Sequence, residues 1–305
     1  MVTTAQHRQQ PQSTAFRRVV VPALIVLLGL LVMLYPVVAS NWNNYQQQEV
    51  AKQYEELMKD TDPELLNQQI EAAHDYNRTK VEGPILDPWL AHVNTDMPEY
   101  REYLEQLSGQ SAMSQVTIPA IDSKLPLYHG TKEETLQRGL GHLYGTALPV
   151  GGESTHAVLT GHTGITNATL WDNLIDVKVG DAIYINTFGE KLKYEVYDIQ
   201  VVTPDQTDML GTIDGKDIIT LITCTPYGIN THRLLVHAER VPMDPEDETI
   251  VEETNGFKMQ WWMWAVLGVA ALILLGLIWW FLRALRQTNE ANTSTQPVED
   301  TEEML

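Results

Sequence analysis

The chain has 305 residues with 40 Asp and Glu against 20 Lys and Arg, a formal net charge of −20 that repels a polyanion and excludes nucleic acid as a partner. The acid is local: residues 41–258 hold 35 acids against 15 bases, whereas residues 1–18 carry Arg8, Arg17 and Arg18 and no acid. A single cysteine, Cys224, excludes an internal disulfide framework and any multi-thiolate zinc or iron–sulfur site, and no pattern calls for a metal or other cofactor.

Two uncharged apolar stretches, residues 19–40 and 259–282, bracket the acidic middle. Residues 19–38 (VVVPALIVLLGLLVMLYPVV), at about 1.5 Å per helical residue, span the ~30 Å hydrocarbon core of a bilayer. Val37 and Ala39 would suit a signal peptidase, but the run exceeds the ~7–15 apolar residues usual in a signal peptide, which favours an uncleaved anchor. Residues 259–282 carry Trp261, Trp262 and Trp264 at one end and Trp279 and Trp280 at the other, as expected of interfacial aromatic belts. Arg17 and Arg18 precede the first span, and Arg283 and Arg286 follow the second. The positive-inside rule therefore expects cytoplasmic tails at 1–18 and 283–305, and an extracytoplasmic segment at 41–258 of a two-pass membrane protein. The polar stretches 1–15 and 287–305 lack apolar periodicity and are expected to be disordered.

Residues 42–59 lack proline and glycine and predict a helical stalk continuing the anchor. Thr61-Asp62-Pro63-Glu64 matches a capping box and predicts a helix to about Tyr76. Tyr100, Tyr103, Leu104 and Leu107 recur at helical spacing and predict a third helix over 97–107, ended by Ser108-Gly109. Residues 41–114 thus form a helical region.

From residue 115 the pattern becomes short β runs at 116–118, 125–128, 157–160, 182–185, 192–197, 199–202, 218–223 and 234–241. Turn-rich pieces separate them and only short helical patches such as 168–174 intervene. This predicts an antiparallel barrel of about eight strands over 115–242, followed by a linker at 243–258.

Cys224 ends one β run, a loop from Thr225 to Asn230 follows, and Arg233 begins the next, so thiol and guanidinium are expected on one rim. Nearby positive charge favours a thiolate, although a small buried core cysteine fits the local sequence equally well. His162 follows another strand between Gly161 and Gly164, where it can approach a thiol on a neighbouring strand end and exchange protons with a substrate. The other histidines, His156 and His232 among them, carry no such signal. Asp87-Pro88-Trp89 by itself is an Asp cap, a helix-starting proline and a packed ring.

Residues 220–234 (TLITCTPYGINTHRL) closely resemble the signature of class C, pilin-polymerising sortases of Gram-positive bacteria. Residues 125–131 (LPLYHGT), 141–146 (GHLYGT) and the run from Leu148-Pro149-Val150 through Thr160-Gly161-His162-Thr163-Gly164 resemble the same family, with coverage of about 83–242. The resemblance implies a mainly β protein: an eight-stranded sortase barrel with an N-terminal helical region and lid, flanked by two transmembrane helices. It matches His162, Cys224 and Arg233 to the family's catalytic histidine, cysteine and arginine. It also matches Asp87, Pro88 and Trp89, within 83–90, to a lid whose aspartate pairs with the arginine and whose ring covers the cysteine.

The implied activity is cysteine transpeptidation. Cys224 cleaves an LPxTG-like sorting signal between Thr and Gly, and the acyl group passes to an acceptor lysine of another pilin. The implied partners are pilin subunits with C-terminal sorting signals. Asn77-Arg78-Thr79 and Asn167-Ala168-Thr169 match glycosylation sequons but have little force on a bacterial surface. The alternatives are a wall-anchoring sortase that uses a peptidoglycan amine, and a non-catalytic surface scaffold.

Overall fold

The structure is a computed structural model and describes residues 12–81, 96–254 and 259–293. Its helices are α1 (Gln12–Asp60), α2 (Pro63–Lys80), α3 (Pro98–Glu105), α4 (Glu133–Leu136), α5 (Pro245–Glu253) and α6 (Trp261–Thr293). The chain divides into two compact units, residues 1–38 with 259–305, and residues 39–258.

The first unit contains the beginning of α1 and all of α6, both long and apolar enough to cross a membrane. Leu28, Leu31 and Val32 of α1 and Leu272 and Leu275 of α6 are exposed, a surface water would not tolerate and lipid would. Both helices reach into stretches whose composition predicts disorder, α1 starting at Gln12 and α6 ending at Thr293.

In the second unit the strands are β1 (Ser114–Ile118), β2 (Ser123–His129), β3 (Leu140–His142), β4 (Thr155–Thr160), β5 (Ala182–Thr187), β6 (Glu190–Val202), β7 (Asp217–Thr225) and β8 (His232–Val241). They close in the order β1-β2-β3-β4-β7-β8-β6-β5. The expectation of an antiparallel barrel needs correction, because β2 pairs with β3 and β4 with β7 in parallel. The β4–β7 pair is reached by a crossover through β5 and β6 that puts the ends of β4 and β7 at the same end of the barrel.

The expected total of eight strands conceals two compensating errors. The runs 192–197 and 199–202 are one strand, β6, with a register shift between Val196 and Asp198 that looks like a break in sequence. The three residues of β3 include a glycine and carry no periodic signal.

Helix limits also move. Asp62 rather than Thr61 caps α2, its carboxylate accepting from the Glu64 N–H, while the Thr61 hydroxyl turns back to the Leu57 carbonyl at 2.7 Å and closes α1. α3 stops at Glu105 because Leu107 takes a left-handed conformation ahead of Ser108-Gly109. The expected linker contains α5, docked where the buried Asp247 carboxylate accepts from Tyr184 at 2.6 Å and Lys193 at 2.9 Å.

Strand alternation sorts side chains into two layers. Ala157 and Leu159 of β4, Ile219 and Leu221 of β7, and Leu234, Val236 and Ala238 of β8 enter the main core. The intervening residues face the other way, where Val158, Ile222 and Leu235 join Leu143, Val202 and Leu210 in a second apolar cluster. From Ser40 onward α1 buries one stripe, Ser40, Asn44, Gln47, Ala51, Tyr54 and Met58, at heptad-like spacing. The Tyr54 hydroxyl donates to the Met113 carbonyl at 3.2 Å and accepts from the Phe188 N–H at 2.8 Å, tying the stalk to the barrel.

Candidate active site

The face opposite the main core is organised in rungs across β4, β7 and β8. Val158, Thr220 and His237 are in register, then Thr160, Ile222 and Leu235. The third rung holds Cys224 opposite Arg233, and His162 stands in the turn after β4, two residues beyond the Thr160–Ile222 pair that ends the parallel ladder. The Gly161 N–H donates to the Ile222 carbonyl at 3.0 Å and the Thr223 hydroxyl to the Gly161 carbonyl at 2.7 Å, so the pairing persists to the residue before His162. Of the three residues matched by sequence, Cys224 and Arg233 are therefore cross-strand neighbours, and His162 follows the end of the adjacent strand β4 at the same end of the barrel.

Cys224 is a half-buried thiol that forms no disulfide. Arg233 is buried, and its Nη1 donates to the carbonyls of Asn230 at 3.3 Å and His232 at 3.2 Å, which fixes the guanidinium against the β7–β8 loop. The His162 ring is 3.2 Å, through Nε2, from a carboxylate oxygen of the exposed Glu133 at the start of α4. Gly161 is required beneath it, because a Cβ there would come within 2.8 Å of the Trp171 ring. Asp87, Pro88 and Trp89 lie outside the described residues.

Asp172 is a residue that sequence reasoning missed. Its carboxylate accepts from the Thr163 hydroxyl at 3.1 Å and the Gly164 N–H at 2.7 Å, and it also takes a hydrogen bond from Tyr227 in the β7–β8 loop. It thus clasps the loop after His162 to the loop after Cys224. Gly164 has a positive φ of 74°, and a Cβ on it would stand 3.2 Å from the Gly228 N, so glycine lets the two loops touch. Burial pushes the Asp172 carboxyl up to about 6 against the opposing pull of its hydrogen bonds. The signal in sequence was only an acid in a patch that predicts a helical surface. The structure instead puts a turn there, with 3-10 geometry confined to Leu174–Asp176.

Farther down the same face His156, Thr220 and His237 form a relay. His156 Nδ1–H donates to the Gly211 carbonyl at 2.8 Å, so its Nε2 accepts the Thr220 hydroxyl at 2.6 Å, and Thr220 in turn accepts from His237 Nδ1 at 2.8 Å. Both imidazoles are neutral; burial lowers His237 and holds His156 at about 4. Two rungs separate this relay from Cys224, which makes it a structural element of the face.

The family model described as Sortase domain matches residues 116–241. Sortase A of Streptococcus agalactiae serotype III (strain NEM316) is 29% identical over 127 residues, 41% of this chain and 51% of that protein, so the match spans about half of the relative's length. The solved sortase C-1 from Actinomyces oris is 52% identical, covers 59% of this chain and 100% of its own, and superposes with a TM-score of 0.58. Streptococcus agalactiae sortase C1 is 44% identical over 64% of this chain and 95% of its own, with a TM-score of 0.58. With the barrel, the Cys224–Arg233 pair and these likenesses taken together, the chain belongs to the sortase family of cysteine transpeptidases, and class C sortases are among its structural neighbours.

Proposed function

We propose that this protein is a pilin polymerase: it cleaves an LPxTG-like sorting signal between Thr and Gly and joins the pilin acyl group to a lysine amine of another pilin. The observation that supports the reading is the cross-strand pair of Cys224 with the buried Arg233, with His162 in the turn that follows the neighbouring strand β4.

In the first half-reaction the Cys224 thiol passes its proton to His162, the sulfur attacks the Thr carbonyl carbon, and the carbonyl electrons move to oxygen. Arg233 donates charge-assisted hydrogen bonds to that oxyanion. Collapse breaks the Thr–Gly C–N bond, His162 delivers a proton to the departing Gly amine, and a thioester remains on Cys224. In the second half the lysine nitrogen attacks the thioester carbon, His162 takes the amine proton, and the C–S bond breaks to return the thiol and release an isopeptide.

A pilin acceptor is favoured over a peptidoglycan amine by the Asp87-Pro88-Trp89 resemblance to a class C lid and by the second apolar helix. Among the similar solved chains are sortase C1 of GBS Pilus Island 1 and a lid mutant of Corynebacterium diphtheriae sortase A. Anchoring in the same membrane as a pilin precursor raises the effective concentration of both substrates.

Enzyme with Asp87→Ala and Trp89→Ala, incubated with a matched pilin, should yield a ladder of covalent oligomers that replacement of the acceptor lysine abolishes. Efficient coupling to peptidoglycan-mimicking amines with no pilin ladder would establish the wall-anchoring alternative instead.

A further inference from the structure

The stripe that α1 buries changes character along its length: Ala51, Tyr54 and Met58 are apolar where they meet the barrel, while Ser40 and Asn44 are polar. Burying polar side chains on a packed helix face gains less than apolar packing unless each finds a partner. The partners of Ser40 and Asn44 lie in one place, the loop that leaves His162, whereas the buried amide of Gln47, the next polar residue of the stripe, has no hydrogen-bond partner among the described residues.

Ser40 Oγ donates to the Thr166 carbonyl at 3.2 Å, and Asn43 Nδ2 to the Asn167 carbonyl at 2.6 Å. Asn44 grips Thr169 twice: its Nδ2 donates to the Thr169 hydroxyl at 2.8 Å, and its Oδ1 accepts the Thr169 N–H at 3.0 Å, both bonds buried. The Asp172 N–H donates to the Thr169 carbonyl at 2.9 Å and the Trp171 N–H to the His162 carbonyl at 3.1 Å. Hydrogen bonds joined through the Trp171–Asp172 peptide therefore link the stalk, by way of Thr169, to the backbone of His162. Asp172 extends it to Thr163, Gly164 and Tyr227.

We propose that Asn44 is a positioning residue for the transpeptidation, acting through Thr169 to set His162 against Cys224, so that the stalk of α1 is part of the active site's support as well as a tether. The inference rests on the reading of His162 as the proton-transfer group. A loop free to shift His162 by about 1 Å would lose productive geometry without losing the thiol, and misplacements of that size cost up to about 10²-fold in rate. The polar stripe also has a defined register: slipping α1 by one residue would strand four buried polar groups, which ties the stalk to one position on the loop.

The test uses the full chain in detergent micelles and a peptide carrying a sorting signal, with kcat expressed per Cys224 titrated by a thiol reagent so that misfolded protein is not counted. Asn44→Leu, close in volume but unable to hydrogen-bond, should lower kcat about tenfold with KM changed less than twofold. Thr169→Val, which keeps shape and loses the hydroxyl, should lower kcat in the same direction by a smaller factor. The double variant should be no worse than Asn44→Leu, because both remove one connection. Should Asn44→Leu fail to accumulate, Thr169→Val carries the comparison. An unchanged kcat per titrated thiol in the folded variants, or losses that multiply in the double, would overturn the proposal. His162→Ala run alongside separates the two readings: if it keeps parental turnover, the assignment of His162 fails; if it is inactive while the Asn44 and Thr169 variants are not impaired, only the positioning inference fails.

Discussion

Cys224 and Arg233 are cross-strand partners in the antiparallel β7–β8 pair, a relation that sets their Cα atoms about 5 Å apart. Arg233 is buried, and its Nη1 is held by the carbonyls of Asn230 in the β7–β8 loop and His232 at the start of β8, the fixed placement that the proposed oxyanion role requires.

Arg233→Lys keeps the charge but loses the planar fork, and should reduce kcat for peptide cleavage by about 10²–10³-fold, the usual cost of one oxyanion donor. Cys224→Ala should leave no thioacyl enzyme detectable by mass spectrometry of the quenched reaction. A lysine variant within threefold of the parent would remove Arg233 from the oxyanion role.

The pH dependence of stability contains two opposing contributions. Burial holds His142 and His156 at about 4, and raises Asp172 to about 6. An imidazole depressed on folding contributes stability that is complete above its unfolded value of about 6.5 and is lost as pH falls through about 4. A carboxyl raised on folding contributes stability present below its unfolded value of about 3.9 and lost as pH rises through about 6. At ~1.4 kcal/mol per pH unit, each of these groups is worth on the order of 3 kcal/mol, so between pH 6 and 4 Asp172 opposes the loss that the two histidines cause. Asp172→Asn, which keeps an oxygen for the Gly164 N–H, deletes the opposing contribution. Its urea midpoint should therefore drop more steeply than the parent's from pH 6 to 4; parallel curves would show that Asp172 titrates normally.

What was legible in the sequence was legible for a physical reason. A lone thiol at a strand end, an arginine at the next strand start and a glycine-flanked histidine are one-dimensional signs of one barrel rim, and the family signature over 220–234 assigned their roles. Asp172 and Asn44 were not legible, because each works through backbone groups of a loop with no periodicity of its own, and Asn44 is 125 positions from its partner Thr169. The barrel's parallel pairs escaped for a similar reason: alternation reports which face a residue takes, but not which strand lies beside it. β3 is too short to have a pattern, and the shift within β6 breaks the alternation that would have joined its halves.

The resemblance of Asp87-Pro88-Trp89 to a lid leads to a kinetic expectation at the thiol. The implied partner of Asp87 is the buried Arg233 and the implied cover of Cys224 is the Trp89 ring, so deleting both side chains takes the gate away. Asp87→Ala with Trp89→Ala should accordingly speed alkylation of Cys224 several-fold, with the unfolding midpoint of the barrel unchanged. Equal labelling rates in variant and parent would remove the gate from the scheme.

The membrane arrangement follows from charge at the ends of the apolar helices. Arg17 and Arg18 precede the first apolar stretch, and Arg283, whose guanidinium lies 5.5 Å over the Trp279 ring, closes the second as a cation resting on an interfacial aromatic. Translocating two such clusters is far costlier than translocating residues 41–258, whose excess is acidic and which the positive-inside rule does not retain. Both termini should therefore be cytoplasmic and the barrel outside. Protease added to intact protoplasts should digest the barrel and spare epitope tags fused at Met1 and Leu305, and the tags should be lost only after lysis. Loss of either tag from intact cells would reverse the orientation of that span and separate the barrel from substrates presented at the outer membrane face.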